Sequence, residues 1–186
     1  MKLFIKNMIS IRCKMVVQSE LESLGFHCLM IDLGEVVISE ELSSKQLEQL
    51  RAVLLASGLE ILDDKKAILN ERIKNALLEI VYGKEELSKI NISDAISAKL
   101  QTDYNHLASL FSELNEITIE QYYIKSKIER VKELLLNENF TLTEISYRLN
   151  YCSVAHLSTQ FKRITGLTPT FYRKLRQNNY LPHDNV

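Results

Sequence analysis

The chain has 186 residues, 46% of them hydrophobic and 25% charged, with a formal net charge of −1. That length allows one or two domains with a buried core, no apolar run approaches the ~20 residues that span a bilayer, and the charges within MKLFIKNMISIRCK exclude a signal peptide. Three cysteines at unrelated spacings (Cys13, Cys28, Cys152) make no disulfide framework and fit a reducing cytoplasm.

Residues 2–8 alternate in character and predict a strand. From 13 to 24 the period becomes helical, with Cys13, Val17, Leu21 and Leu24 on one stripe and Gly25 placed to close the helix. Residues 26–31 and 36–38 are apolar, β-rich runs joined by Asp32-Leu33-Gly34-Glu35, a hairpin signal. Ser43 and Gln46 have the spacing of a capping box ahead of Leu47, Leu50 and Leu54; Gly58 ends that helix and residues 59–62 form a last strand. The order β-α-β-β-α-β in about 62 residues predicts an α+β, ferredoxin-like unit, an arrangement that by itself decides no function.

Asp63-Asp64 then opens an amphipathic helix over residues 65–82, with Ile68, Leu69, Ile73, Ala76, Leu77 and Ile80 on its apolar face, and Gly83-Lys84-Glu85-Glu86 breaks it. Such a connector either packs within the chain or pairs with a second subunit to make a homodimer.

The remainder says nearly the same thing twice. Ile96-Ser97 matches Ile145-Ser146 and Leu100 matches Leu149 at an offset of 49; His106-Leu107 matches His156-Leu157, Phe111 matches Phe161, Thr118 matches Thr168 and Tyr122 matches Tyr172 at an offset of 50. One residue is added at the turn, where the second copy reads Asn150-Tyr151, and Asn suits a left-handed turn position. Each copy reads as two short helices meeting at a tight turn, and Thr168-Pro169 launches a further helix. In the second helix of each copy the predicted core stripes are Tyr104, Leu107, Phe111, Leu114 and Val154, Leu157, Phe161, Ile164. Outward fall Asn105, His106, Ser109, Ser112 and Glu113 in the first copy, and Ala155, His156, Thr159, Lys162 and Arg163 in the second. Small or polar side chains at the start of such a helix suit approach to base edges in a major groove, while Lys162 and Arg163 suit phosphates. Asp103 and Ser153 occupy N-cap positions and are explained as caps.

Charge separates the copies. Residues 142–177 hold six cations (Arg148, Lys162, Arg163, Arg173, Lys174, Arg176) and one acid (Glu144), a balance of +5; residues 89–120 hold Lys89 and Lys99 against five acids (Asp94, Asp103, Glu113, Glu116, Glu120), a balance of −3. The second copy is the one equipped for phosphate contact.

With these motifs in view, residues 88–177 resemble the DNA-binding domain of the AraC/XylS family of bacterial transcription regulators. The resemblance rests on Ile145-Ser146, Asn150-Tyr151, His156-Leu157, Phe161-Lys162 and Thr165-Gly166-Leu167-Thr168-Pro169. It implies an all-α domain of two helix-turn-helix units joined by a long helix at 119–136, whose buried side is Ile124, Ile128, Val131, Leu134 and Leu135. It further implies double-stranded DNA as partner, two recognition helices in successive major grooves, and RNA polymerase as a partner if the chain activates. Two departures stand out: Asn150 for the usual turn Gly, and Glu116 where the second copy keeps Gly166. The implied organisation is 1–62 front domain, 63–87 connector, 88–177 double helix-turn-helix and 178–186 tail.

The first 62 residues resemble the heavy-metal-associated domain, which places Met-x-Cys-x-x-Cys after its first strand to hold a soft ion. Here the segment reads Met8-Ile9-Ser10-Ile11-Arg12-Cys13, so one thiol is a hydroxyl and the two-thiolate site is broken. Three readings stay open: a packing or dimerisation module, weak soft-metal binding by Cys13 with Met8 or a second subunit's Cys13, or sensing of something else. His27 and Cys28 are strand neighbours that point apart, and Cys28 and Cys152 read as packing residues. No Ser/His/Asp order, Gly-rich phosphate loop or carboxylate pair suggests an enzyme.

Overall fold

The computed structural model describes residues 1–83, 91–136 and 140–177. Residues 84–86 of the expected helix break, residues 88–90 (Lys89 among them), the 178–186 tail and the side chains of Arg176 and Gln177 lie outside that description.

Strand β1 (Lys2–Lys6) leads through α1 (Ile11–Ser23) to the hairpin of β2 (Cys28–Asp32) and β3 (Glu35–Ile38), and α2 (Ser44–Ala56) leads on to β4 (Glu60–Leu62). The Ser10 side chain accepts the Cys13 N–H at the head of α1, and the Ser43–Gln46 capping box opens α2 as its spacing requires. The four strands lie in the order β2-β3-β1-β4 with antiparallel neighbours, Leu3 opposite Val36 and Ile5 opposite Ile61. Those inward residues meet Val17, Leu21, Leu50 and Leu54 from the helices in one apolar core, each contributing on the order of 1.5–3 kcal/mol by burial. Strand β2 begins later than its apolar run suggests: Phe26 is buried ahead of it, and His27 is exposed with its ring against Glu40 at 2.6 Å. Cys28 packs half-buried against the core.

Helix α3 (Lys65–Tyr82) is capped by Asp64 and spans the residues its periodicity predicts. Its buried side is covered by this chain's own helices, for Ile73, Ala76 and Leu77 share a second core with Ile96, Leu107 and Phe111. It also grips the sheet: the Glu71 carboxylate accepts the Asn7 N–H at 3.0 Å, and Asn75 Nδ2 donates to the Leu33 carbonyl at 3.2 Å.

The helical part continues as α4 (Ile92–Leu100), α5 (Tyr104–Asn115), α6 (Ile119–Leu136), α7 (Leu142–Arg148), α8 (Val154–Thr165) and α9 (Pro169–Gln177). Helix α6 joins two cores, placing Ile119 with the first unit and Ile128, Val131, Leu134 and Leu135 with Ile145, Leu157, Phe161 and Tyr172 of the second. Ile124, expected on its buried side, is half-buried. Two core expectations are corrected: Leu114 and Ile164 are 43% and 38% exposed. They occupy the same position in the last turns of α5 and α8, where the apolar stripe outruns the helices packed against it. Cys152 is exposed, not packed. Among the described residues no helix is long and apolar enough to cross a membrane.

Candidate nucleic-acid interface

Both helical corners are set by local backbone chemistry. Helix α4 ends on Gln101 in the left-handed region (φ +51°), and Asp103 then caps α5 by accepting the N–H groups of Asn105 and His106 at 2.9 and 3.2 Å. In the second unit Thr141 and Glu144 form a capping box on α7, Asn150 takes the left-handed turn position (φ +49°), and Ser153 accepts the His156 N–H at 3.1 Å. Gln101 and Asn150 are equivalent at the offset of 49, so the turn needs no Gly in either copy.

The duplication extends to packing. Phe111 meets Tyr122 edge-on with ring centroids 5.5 Å apart, and Phe161 meets Tyr172 in the same way at 5.5 Å. Thr118 and Thr168 cap the following helices by accepting the N–H of Gln121 and Phe171. With Leu107 and Leu157 wholly buried beneath them, α5 and α8 each turn the opposite side outward. Asn105, His106 and Ser109 are exposed and Ser112 is half-buried; Ala155, His156, Thr159, Lys162 and Arg163 are all exposed. The structure therefore presents each group of expected contact residues on the open side of its own helix. The His156 ring stands edge-on to Tyr151 at 5.4 Å, which restricts where it can point.

The charges are less free than their number suggests. Arg173 donates to the carbonyls of Leu135 and Phe140 at 3.0 and 2.7 Å and so fastens α9 to α6. Arg148 lies over the Phe140 ring at 4.3 Å. Among the described residues Lys162 and Arg163 have no ion-pair partner. In the first unit Glu113 is paired with Lys66 of α3 at 2.9 Å, Lys99 with Glu79, and Glu120 accepts from the Tyr104 hydroxyl. Lys66 thus offsets Glu113, while Glu79 takes up the unit's own Lys99, and Glu116 closes α5 in the left-handed region (φ +57°).

One residue with no place among the expected contacts sits beneath the second unit's turn. Lys127 of α6 is 7% exposed, with Nζ 3.8 Å from the centre of the Tyr151 ring and 5.5 Å from that of Tyr123. Burial pushes its pKa down to about 8 against the opposing influence of Cys152. Its position on the 124–128–131 stripe is the signal that would have revealed it.

The front segment brings one thiol, Cys13, to the head of α1. Ser10 Oγ serves as the cap of α1 and lies 3.3 Å from Cys13 Sγ, and Met8 is wholly buried in the sheet core. Burial pushes the Cys13 thiol up, but hydrogen bonds from Ser10 and from backbone N–H groups outweigh it and the net shift is downward. Cys13 is left as a half-buried free thiol. Among the described residues no group of three or more His, Cys, Asp or Glu is placed to hold a metal ion.

Comparison with known proteins agrees with the repeat. The model of the family described as "Helix-turn-helix domain" matches residues 96–175. The Msm operon regulatory protein of Streptococcus mutans serotype c is 28% identical over 114 residues, covering 61% of this chain and 38% of that protein. The HTH-type transcriptional activator RhaS of an Enterobacter species is 28% identical over 142 residues, covering 75% of this chain and 48% of that one. This chain therefore spans less than half the length of either relative. The C-terminal domain of AraT, a response regulator from Geobacillus stearothermophilus, shares the fold at 20% identity and a TM-score of 0.52, over 66% of this chain and 95% of that one. Two matched units with matched caps and ring pairs fill the span, residues 96–175, that matches the helix-turn-helix family.

Proposed function

We propose that this chain is a sequence-specific DNA-binding transcription regulator that lays α5 and α8 into successive major grooves, about one helical turn or ~34 Å apart. The observation that carries the reading is the paired set of open helix faces, Asn105, His106, Ser109 and Ser112 beside Ala155, His156, Thr159, Lys162 and Arg163, each held by an equivalent buried framework. In this reading the residues of the first turns meet base edges, and Lys162 and Arg163 meet phosphates. The second unit then supplies most of the salt-dependent affinity, while the first adjusts the sequence preference. We take residues 1–62 as a ferredoxin-like, heavy-metal-associated-like module with Ser10 in place of the first of the two thiols, 63–87 as connector and 88–177 as the DNA-reading part. The strand order β2-β3-β1-β4 with two helical crossovers supports the first of these assignments.

Footprinting on genomic fragments at moderate salt tests the proposal. A discrete protected stretch whose affinity falls steeply with salt is expected; no protection, or affinity indifferent to salt, overturns it. His156→Ala or Thr159→Ala should relax sequence preference at a cost of about 1–3 kcal/mol. Arg163→Ala should weaken every sequence alike and reduce the salt slope by about 1.

A further inference from the structure

In the turn of the second unit one side chain touches both the linking helix and the open side of α8. Tyr151 follows the left-handed Asn150 and is 8% exposed. Lys127 of α6 places Nζ 3.8 Å from the centre of the Tyr151 ring and grips it by its charge. The His156 ring, in the first turn of α8, meets the same ring edge-on at 5.4 Å with the planes 81° apart. The Tyr151 hydroxyl donates to Gln160 Oε1 at 2.8 Å. His156 and Gln160 are one helical turn apart and share a stripe of α8 with Thr159 and Arg163.

These contacts leave the pair little freedom. Burial pushes the Tyr151 phenol up from its ordinary pKa, so its oxygen keeps the proton that it donates. With Oε1 engaged, the Gln160 amide is turned so that Nε2, which has no partner among the described residues, is the group left to donate. Gln160 is half-buried and His156 exposed, so both reach the open side of the helix. The first unit has no such device. At the offsets of 49 and 50 it carries Thr102 for Tyr151 and Leu110 for Gln160. The Thr102 hydroxyl turns back to the Leu100 carbonyl at 3.0 Å, Leu110 is buried, and the His106 ring makes no hydrogen bond or ring contact among the described residues.

We propose that Tyr151, without touching DNA, is the positioning residue of the second recognition helix, presetting the His156 ring and the Gln160 amide as one polar pair for base edges. Gln160 Nε2 is then a donor to a major-groove acceptor such as guanine O6 or N7 or thymine O4. The inference rests on the DNA-reading function proposed above and adds Gln160 to its contacts. Side chains already held in place lose less freedom on binding than mobile ones, so α8 carries a fixed reading pair that α5 does not have.

The test uses the full chain and the DNA site that footprinting protects, with its base pairs exchanged one at a time. Tyr151→Phe keeps the ring beside Lys127 and His156 and removes only the hydroxyl. It should move the Gln160 side-chain amide signals in the NMR spectrum of the DNA-free chain. It should also lower base preference about fivefold in the part of the site that His156→Ala relaxes, while affinity for unrelated DNA and the salt slope stay as they were. Gln160→Met should lower preference in the same part, and adding Tyr151→Phe to it should lower it no further, because the hydroxyl acts through that amide. Unchanged preference in Tyr151→Phe, an equal fall on specific and unrelated DNA such as structural damage gives, or additive losses in the double variant overturns the proposal. A wild type that protects no site overturns the DNA reading along with it, whereas an intact footprint indifferent to Tyr151→Phe removes this inference alone.

Discussion

Asn75 and Gly34 show how much of this molecule is decided by single side chains. Gly34 turns the β2–β3 hairpin at φ +76°, and a Cβ there would collide with Asn75 Nδ2. Gly25 has the similar φ of +80° but open space around it. Gly25→Ala should therefore cost about 1 kcal/mol from backbone strain alone, and Gly34→Ala distinctly more, since the amide that fastens the hairpin to α3 must move as well; urea midpoints of the two variants check the order. Cys13 carries the opposite lesson. A motif scan sees half of a metal site there, whereas the folded segment uses Ser10 to cap a helix and buries Met8. Cu(I) titration should show equally weak binding by the wild type and Cys13→Ala; tight binding lost in the variant would contradict the geometry. The Ser43–Gln46 box was legible because both of its bonds lie within four residues. The exposure of Leu114 and Ile164 was not, since periodicity gives the side of a helix but not where its neighbour stops.

Among the elements, α5 and α8 differ most at their ends. Both close in the left-handed region, α8 on Gly166 and α5 on Glu116. The Cβ of Glu116 disfavours that conformation, so Glu116→Gly should stabilise the chain by about 0.5–1 kcal/mol, readable as a raised denaturation midpoint. The linking helix α6 holds a pH-dependent element in Lys127. Its pKa of about 8 lies below the ordinary 10.5, so between these values the unfolded chain keeps a proton that the folded chain has released. Stability gains from this group as pH rises through that window, by up to ~1.4 kcal/mol per pH unit. Lys127→Met should lack this rise; parallel unfolding curves for the two proteins from pH 8 to 10 would show the assignment to be wrong. The equivalence of Phe111 with Phe161 and of Tyr122 with Tyr172 was readable because repetition reports itself in a single sequence, whereas the edge-on meeting of each Phe with its Tyr was decided by the fold.

At the scale of the whole molecule α3 is the organising element. It lends Ile73, Ala76 and Leu77 to the core of the first unit while Glu71 and Asn75 hold the front sheet. A fragment beginning at residue 88 should therefore expose that core and bind a hydrophobic dye, whereas one beginning at 63 should not; equal behaviour of the two would show α3 to be dispensable. The same helix carries Lys66, which compensates Glu113 on the first unit. Element order, the helix caps and the outward placement of His106, His156, Lys162 and Arg163 followed from the sequence alone because each depends on residues within a turn or two of one another, and the doubled unit because a repeat at offsets of 49 and 50 is visible in one sequence. That α3 joins the first unit, that Arg173 is held by backbone carbonyls, that Lys127 lies under Tyr151 and that Asn75 is left with an unpaired oxygen were decided only by the tertiary structure. Each of these depends on which distant segments meet, and local periodicity does not encode that.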